Sequence, residues 1–412
     1  MLIVFGVFFN ATGVSAQLGV KTVAVDKAKF TAGIKKSFDG NVKGYQAILL
    51  KDGKIYAEVA GGDARNQIDG QADMIVNTPS NIGSTAKFFA GVALLKFFQT
   101  PKGNLNPYGK TVDQWLDTEI FPYLPAIWRA NADKSWKEVT FRQLLQHKSG
   151  VRALTDAERN AFVANGYRKG SPFIYLLKPI KDADRNKRDY ENFNFTILTY
   201  LLPAVSSLTL SSFLDNKVAK EKLKVDDLAI TQLLGDEFEK HLRNNSFGKI
   251  TPKINPSCDA PNEYPKQNRV YAMAYNSVAD ATKGFEWSER EQNGSCYAQG
   301  GWYLSGRELA AFAANFDATE TLVSDETKAK MFDEKKADDR LVWSTFAFNA
   351  WIKENLGVSR MPRMDGGQDG YSSVFIKMPN GFFAVAIANS ADMNADGLAA
   401  ILLESFSGAA SL

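Results

Sequence analysis

Histidine and cysteine are scarce: the 412 residues hold two of each, His147 and His241, Cys258 and Cys296. Neither histidine stands in a metal-ligand spacing with a cysteine or a carboxylate pair, so no zinc site is expected, and no metal or other cofactor is assigned. No serine has glycine at both i−2 and i+2, which excludes the nucleophile elbow of Ser-His-Asp hydrolases. Basic clusters interleaved with aromatics are absent and the net charge is only +3, so nucleic acid is not an expected partner. No low-complexity tract or internal repeat is evident. What remains is an ordinary globular composition, 45% hydrophobic and 23% charged, in a chain long enough for one large or two ordinary domains.

The first residues, Met1 to Ala16, carry an apolar core of signal-peptide length, too short to span a bilayer. Val14-Ser15-Ala16 suits cleavage before Gln17, although a positive n-region is missing. Export, periplasmic or secreted, is therefore expected, with no transmembrane segment in the mature chain; a frayed apolar N-terminus is the alternative. Export would let Cys258 and Cys296 form one disulfide, closing a loop of roughly 40 residues worth ~3–4 kcal/mol in the chain-entropy model. Two unpaired thiols are the alternative.

Along the chain, Gly44–Ala60 reads as a hairpin turning at Asp52-Gly53. Helical pattern fills much of 100–310: Thr140–Gln146, Asn194–Leu202, Ser211–Leu223, Leu228–Leu242 and Gly306–Phe316. Asp182–Asp189 reads as a solvated loop. Strands return at Ser344–Lys353, Tyr371–Met378 and Phe382–Ala388, the last two joined at Pro379-Asn380-Gly381, and Ala391–Phe406 reads as a closing helix. The terminal pieces are expected to share one antiparallel sheet covered by helices (17–100 with 325–412, after a leader over 1–16). The middle (101–324) is expected to form a mainly helical lobe. Sites often sit between two such lobes.

Ser84 and Lys87 open the apolar run Ile82–Phe98, one helical turn apart and facing the same way. A lysine buried among apolar groups can be neutral and take a serine's proton. Ser80 or Asn81 is expected to cap the helix. Taken alone, the pair reads equally well as an ordinary helix start with a surface lysine. A second Ser-x-x-Lys, Ser246–Lys249, lies in a polar stretch and reads as a solvated loop.

Three further segments could carry chemistry. Tyr190-Glu-Asn192 offers a tyrosine whose pKa a nearby lysine could lower, making it a general base, and an asparagine that could meet a substrate carbonyl and a lysine ammonium. Gly366-Gly367 leads into an apolar strand and permits close backbone approach, so an N–H there could join that of Ser84 as an oxyanion hole. Read in isolation, each is also a buried tyrosine with a capping asparagine, or a glycine turn. His147, at a helix end before Gly150, reads as a structural cap.

Taken in order, these segments resemble the penicillin-recognising serine hydrolases: class C β-lactamases, D-alanyl-D-alanine carboxypeptidases and related serine esterases. The likeness runs from about Gly44 to Ser390. It rests on Ser84-Thr-Ala-Lys87, Arg142–Val151, Tyr190-Glu-Asn192, Gly300–Phe312 and Gly366–Ser373. It implies an α+β, β-lactamase/transpeptidase-like fold with a five-stranded antiparallel sheet and a helical domain. It also implies a hydrolase working through an acyl-enzyme on Ser84, with Lys87 and Tyr190 sharing the base role. Asn192, Gly366 and Gly367 would bind a small-molecule or peptide acyl substrate, the Ser84 and Gly367 N–H groups forming the oxyanion hole. One departure matters. The family's third motif begins with Lys or His, but here the positions read Met364-Asp365-Gly366. Arg363 is adjacent, yet neighbouring strand side chains point to opposite faces. The missing cation argues against carboxylate-bearing β-lactams and D-Ala-D-Ala peptides, and favours neutral esters or amides. A peptidase, a β-lactamase or a non-catalytic binding module on the same fold are the competing expectations.

Overall fold

The computed structural model describes residues 22–103, 108–168, 170–207, 228–332 and 338–412. The expected leader and the expected helix Ser211–Leu223 lie outside these residues.

Seven antiparallel strands make the main sheet: β1 Gly44–Lys51, β2 Lys54–Arg65, β3 Ala72–Asp73, β4 Thr345–Ala347, β5 Met361–Gln368, β6 Tyr371–Lys377 and β7 Phe382–Ala388. Their order is β3-β2-β1-β7-β6-β5-β4. Five are long, as expected from the resemblance; β3 and β4 add edges of two and three residues. The hairpin turns fall where the sequence puts them. Asp52 and Gly53 both have positive φ (50° and 73°), as do Asn380 and Gly381 (58° and 70°). That is the turn whose twist matches the flanking strands.

Strand β7 is apolar at every position because both sheet faces are covered. Ala384, Ala386 and Ala388 face helices α1 (Lys27–Phe38) and α5 (Ala395–Ala409). Phe383, Val385 and Ile387 face the larger core on the other side. That core is built around helix α2 (Lys87–Gln99), which is buried almost all round and therefore lacks a polar stripe. Phe88 on α2 meets Phe312 and Phe316 of helix α4 (Gly306–Asp317), Trp343, and Phe375 of β6 at centroid distances of 4.6–6.3 Å. A further helix, α3 (Leu228–Asn245), joins the same core.

Three sequence expectations are corrected here. Residues 344–353 are not one strand: Asn349 accepts from the Ile352 N–H (3.1 Å) and starts a helix, Ala350–Leu356. The closing helix starts later, at Ala395, with Asn394 as its cap. Met361–Gln368 is a full strand that the apolar pattern did not announce, since Pro362, Arg363, Asp365 and two glycines break any alternation.

Candidate active site

Ser80 and Asn81 do not cap the Ser84 helix. They form a short strand paired with Tyr303–Leu304. Ser84 sits beyond it in a 3₁₀ turn, Gly83–Ala86, that runs into α2. Asn81 Oδ1 accepts from the Gly83 N–H (2.8 Å) and steadies the turn. Strand β5 lies directly against this turn. A Cβ on Gly366 would come within 2.6 Å of Thr85 N and 2.8 Å of Ser84 N, so only glycine lets the strand approach. A Cβ on Gly83, whose φ is 50°, would lie 2.7 Å from Gly367 N.

Lys87 is fully buried. Its Nζ donates to Ser84 Oγ (2.8 Å) and to the Gln299 carbonyl (2.6 Å). Burial pulls its pKa from the usual lysine range down to about 7, while the carboxylates of Glu289, Glu191 and Asp365 resist that fall. Among the described residues Lys87 does not bond to Asn192, whose side chain instead borders the cleft.

Tyr190 places its ring 5.2 Å from Lys87 Nζ. The ring stacks on His147 at 4.5 Å. Its hydroxyl is pushed up to about 12, first because it is desolvated, then by Asp365 and Glu191; a hydrogen bond with Ser84 and the nearby Arg188 pull the other way. The expected lowering is thus reversed, because desolvation outweighs the Ser84 hydrogen bond and the Arg188 charge.

His147 is buried, with a positive φ of 55°. Its carbonyl accepts from Asp189 N–H (2.9 Å), and its Nδ1 faces the Glu191 N–H at 3.3 Å. Burial and the Lys87 and Arg188 charges hold its pKa well below the usual histidine value. The cap of the helix Phe141–Leu145 is Gln146, and His147 follows it with its ring against Tyr190. The charged stretch 182–189 is more than a solvated loop: Arg188 reaches the carbonyls of Gln146 (2.7 Å) and Ser344 (3.0 Å), and Asn186 N–H donates to Lys148 O (2.9 Å).

A cavity of about 580 Å³ opens at Ser84 and is bordered by Asn192, Trp287, Glu289, Gly367 and Asp369. Glu289 is the residue that sequence reasoning missed. It is 2% exposed, accepts from Trp287 Nε1 (2.7 Å) and Asn293 Nδ2 (2.8 Å), and is raised to about 7 by burial. Only the neighbouring Gly300-Gly301 pair hinted at it: Gly301 has φ 80°, and a Cβ there would strike the Glu289 side chain. The wall carrying Glu289 is tied down by a disulfide between Cys258 and Cys296 (Cα–Cα 5.6 Å) and by Glu289 N–H donating to Cys258 O (3.0 Å).

The third-motif position offers no cation to the cleft. Met364 is 1% exposed and packed in the core with α2. Arg363 pairs with Asp396 of α5 (2.6 Å), and Asp365 bonds to the Ser344 hydroxyl.

Comparison with known proteins agrees with this architecture. Protein flp of Staphylococcus aureus (strain NCTC 8325 / PS 47) is 21% identical over 181 residues, 44% of this chain. The match spans only 34% of that relative's length. The solved β-lactamase/D-alanine carboxypeptidase from Pseudomonas syringae superposes with a TM-score of 0.58 at 13% identity, covering 92% of this chain and 97% of that one. The D-amino acid amidase from Ochrobactrum anthropi SV3 does so with a TM-score of 0.56 at 14% identity, over 92% and 97%. At such identities these likenesses establish the fold, β-lactamase/transpeptidase-like. The beta-lactamase family profile matches residues 26–404, and the chain belongs to that family.

Proposed function

We propose that the protein is a serine hydrolase acting through an acyl-enzyme on Ser84, with neutral esters or amides as its substrate class. The observation that carries this is the 2.8 Å contact between Ser84 Oγ and the fully buried, near-neutral Lys87. A neutral amine turns that hydrogen bond around and accepts the serine proton. Oγ then bonds to the substrate carbonyl carbon, and the carbonyl electron pair moves onto oxygen. The N–H groups of Ser84 and Gly367 border the cleft where that oxyanion would sit. The oxyanion pair then re-forms the carbonyl as the bond from that carbon to the leaving oxygen or nitrogen breaks; Tyr190, held as the phenol by its raised pKa, gives its proton to the departing group and regains one from the Lys87 ammonium. Water enters by the same route in reverse and frees the acid. Asn192, at the cleft edge, contacts the substrate.

The substrate class follows from the strand wall. A carboxylate entering beside β5 meets buried Met364, the Asp365 carboxylate and an Arg363 already paired with Asp396. Export, supported by the Cys258–Cys296 bond, belongs to the same reading.

A fluorophosphonate probe tests the nucleophile: it should label the native protein and fail on Ser84→Ala, and labelling that survives the substitution overturns the proposal. A fluorescent penicillin tests the substrate class. Little covalent capture is expected, and rapid stoichiometric capture at Ser84 would point instead to a β-lactamase or peptidase.

A further inference from the structure

Glu289 is a carboxylate sunk beneath the floor of the cleft, and the acylation chemistry just described gives it no part. It is 2% exposed, nearly as buried as Lys87. Its oxygens are held from two sides, by the Trp287 indole N–H (2.7 Å) and the Asn293 amide (2.8 Å). The Gln299 side chain is a third donor, while the Gln299 carbonyl accepts from Lys87 Nζ (2.6 Å). One residue therefore bridges the carboxylate and the amine. Gly301 leaves the space that the Glu289 side chain fills. Burying a carboxylate is costly unless hydrogen bonds and a nearby opposite charge offset it, and the cation acting on Glu289 through space is Lys87.

We propose that Glu289 is a positioning residue for the Ser84 acylation step: it acts through Gln299 and Lys87 as the counter-charge that sets when the lysine is neutral and steadies the ammonium formed when it takes the serine proton. The inference rests on the function proposed above. The other groups facing Lys87 are Glu191 and Tyr190 from the loop before Phe193, His147 from the end of Phe141–Leu145, and Asp365 from β5. Of these Glu191 and Asp365 favour the ammonium, as Glu289 does, but Glu289 is the largest of the three.

The test is the rate of fluorophosphonate labelling of Ser84 against pH, which needs no knowledge of the natural substrate. Removing the carboxylate lets the lysine shed its proton at lower pH but leaves its ammonium less stabilised. Glu289→Gln should therefore shift the acidic limb downward by roughly half a pH unit or more and lower the plateau rate about tenfold. Glu289→Asp should restore part of both. A folded Glu289→Gln protein whose limb stays in place overturns the inference, whatever its plateau. Should that variant not fold, Trp287→Phe removes one donor from the carboxylate; it should move the limb the same way by less, and an unmoved limb is again the overturning result. Loss of labelling in Ser84→Ala, measured alongside, separates failure of this inference from failure of the Ser84 reading.

Discussion

The chain contains Ser-x-x-Lys twice, and the two copies fold into opposite environments. At the first, Ser84 borders an open cleft and Lys87 is buried beneath it, 2.8 Å away. At the second, Ser246 is buried under Phe247, which packs on Phe89 of α2, while Lys249 is exposed. The spacing is the same; the desolvation is inverted. A lysine in water keeps its proton and has nothing to offer a hydroxyl. A buried serine, in turn, has no access to a substrate. The solvated loop expected for the second copy is thus wrong in its serine and right in its lysine, because Phe247 supplies an anchor that a polar stretch does not advertise.

The sharpest way to break the comparison is to remove each serine. Ser84→Ala should lower ester turnover by a factor on the order of a thousand or more. Next comes the strand that closes on the first copy alone. Gly366→Ala drives a methyl into the Ser84 turn and should cut the labelling rate by about a hundredfold, with substrate positioning lost rather than the fold. A rate close to native would mean that β5 does not hold the turn. The third effect is in pH. On the proposed mechanism Lys87 must lose its proton to act, so labelling should fall about tenfold per unit as pH drops below 7 and level off above it. A limb near 10 would put Lys87 back among ordinary lysines. The smallest effect belongs to the second copy. Ser246→Ala should leave activity within about twofold and thermal stability unchanged or raised, since its hydroxyl has no partner among the described residues.

Local chemistry made parts of this molecule legible. Asp52-Gly53 and Asn380-Gly381 fix two hairpins because each needs two residues at positive φ. The apolar run after Ser84 gives α2, and Gly366 and Gly367 mark a close approach before anything shows what approaches. Other features depend on neighbours far along the chain. Strand β5 carries no alternating pattern, because both its faces are covered, Met361 packing into one core and Met364 into the other. Glu289 sits in a polar stretch, Glu286 to Asn293, that reads as surface; its burial is made by Gly301 and by the bond from Cys258 to Cys296. The direction of the Tyr190 shift was misread for the same reason. A sequence can put a lysine near a tyrosine, but it does not say how far the tyrosine hydroxyl is desolvated.

The strand order has a consequence in time. Strand β7, at the middle of the sheet, is the last of the seven along the chain, and it pairs with β1, the first. A chain emerging from the ribosome must therefore hold its β1–β2 hairpin open-edged until some three hundred further residues have followed, a wait that long-range pairing makes slow. Ser84 is made early, but Gly367, which borders it, arrives late. The Ser84 turn gains its second wall only once β5 has been made, so chains cut before β5 should carry the serine without that wall.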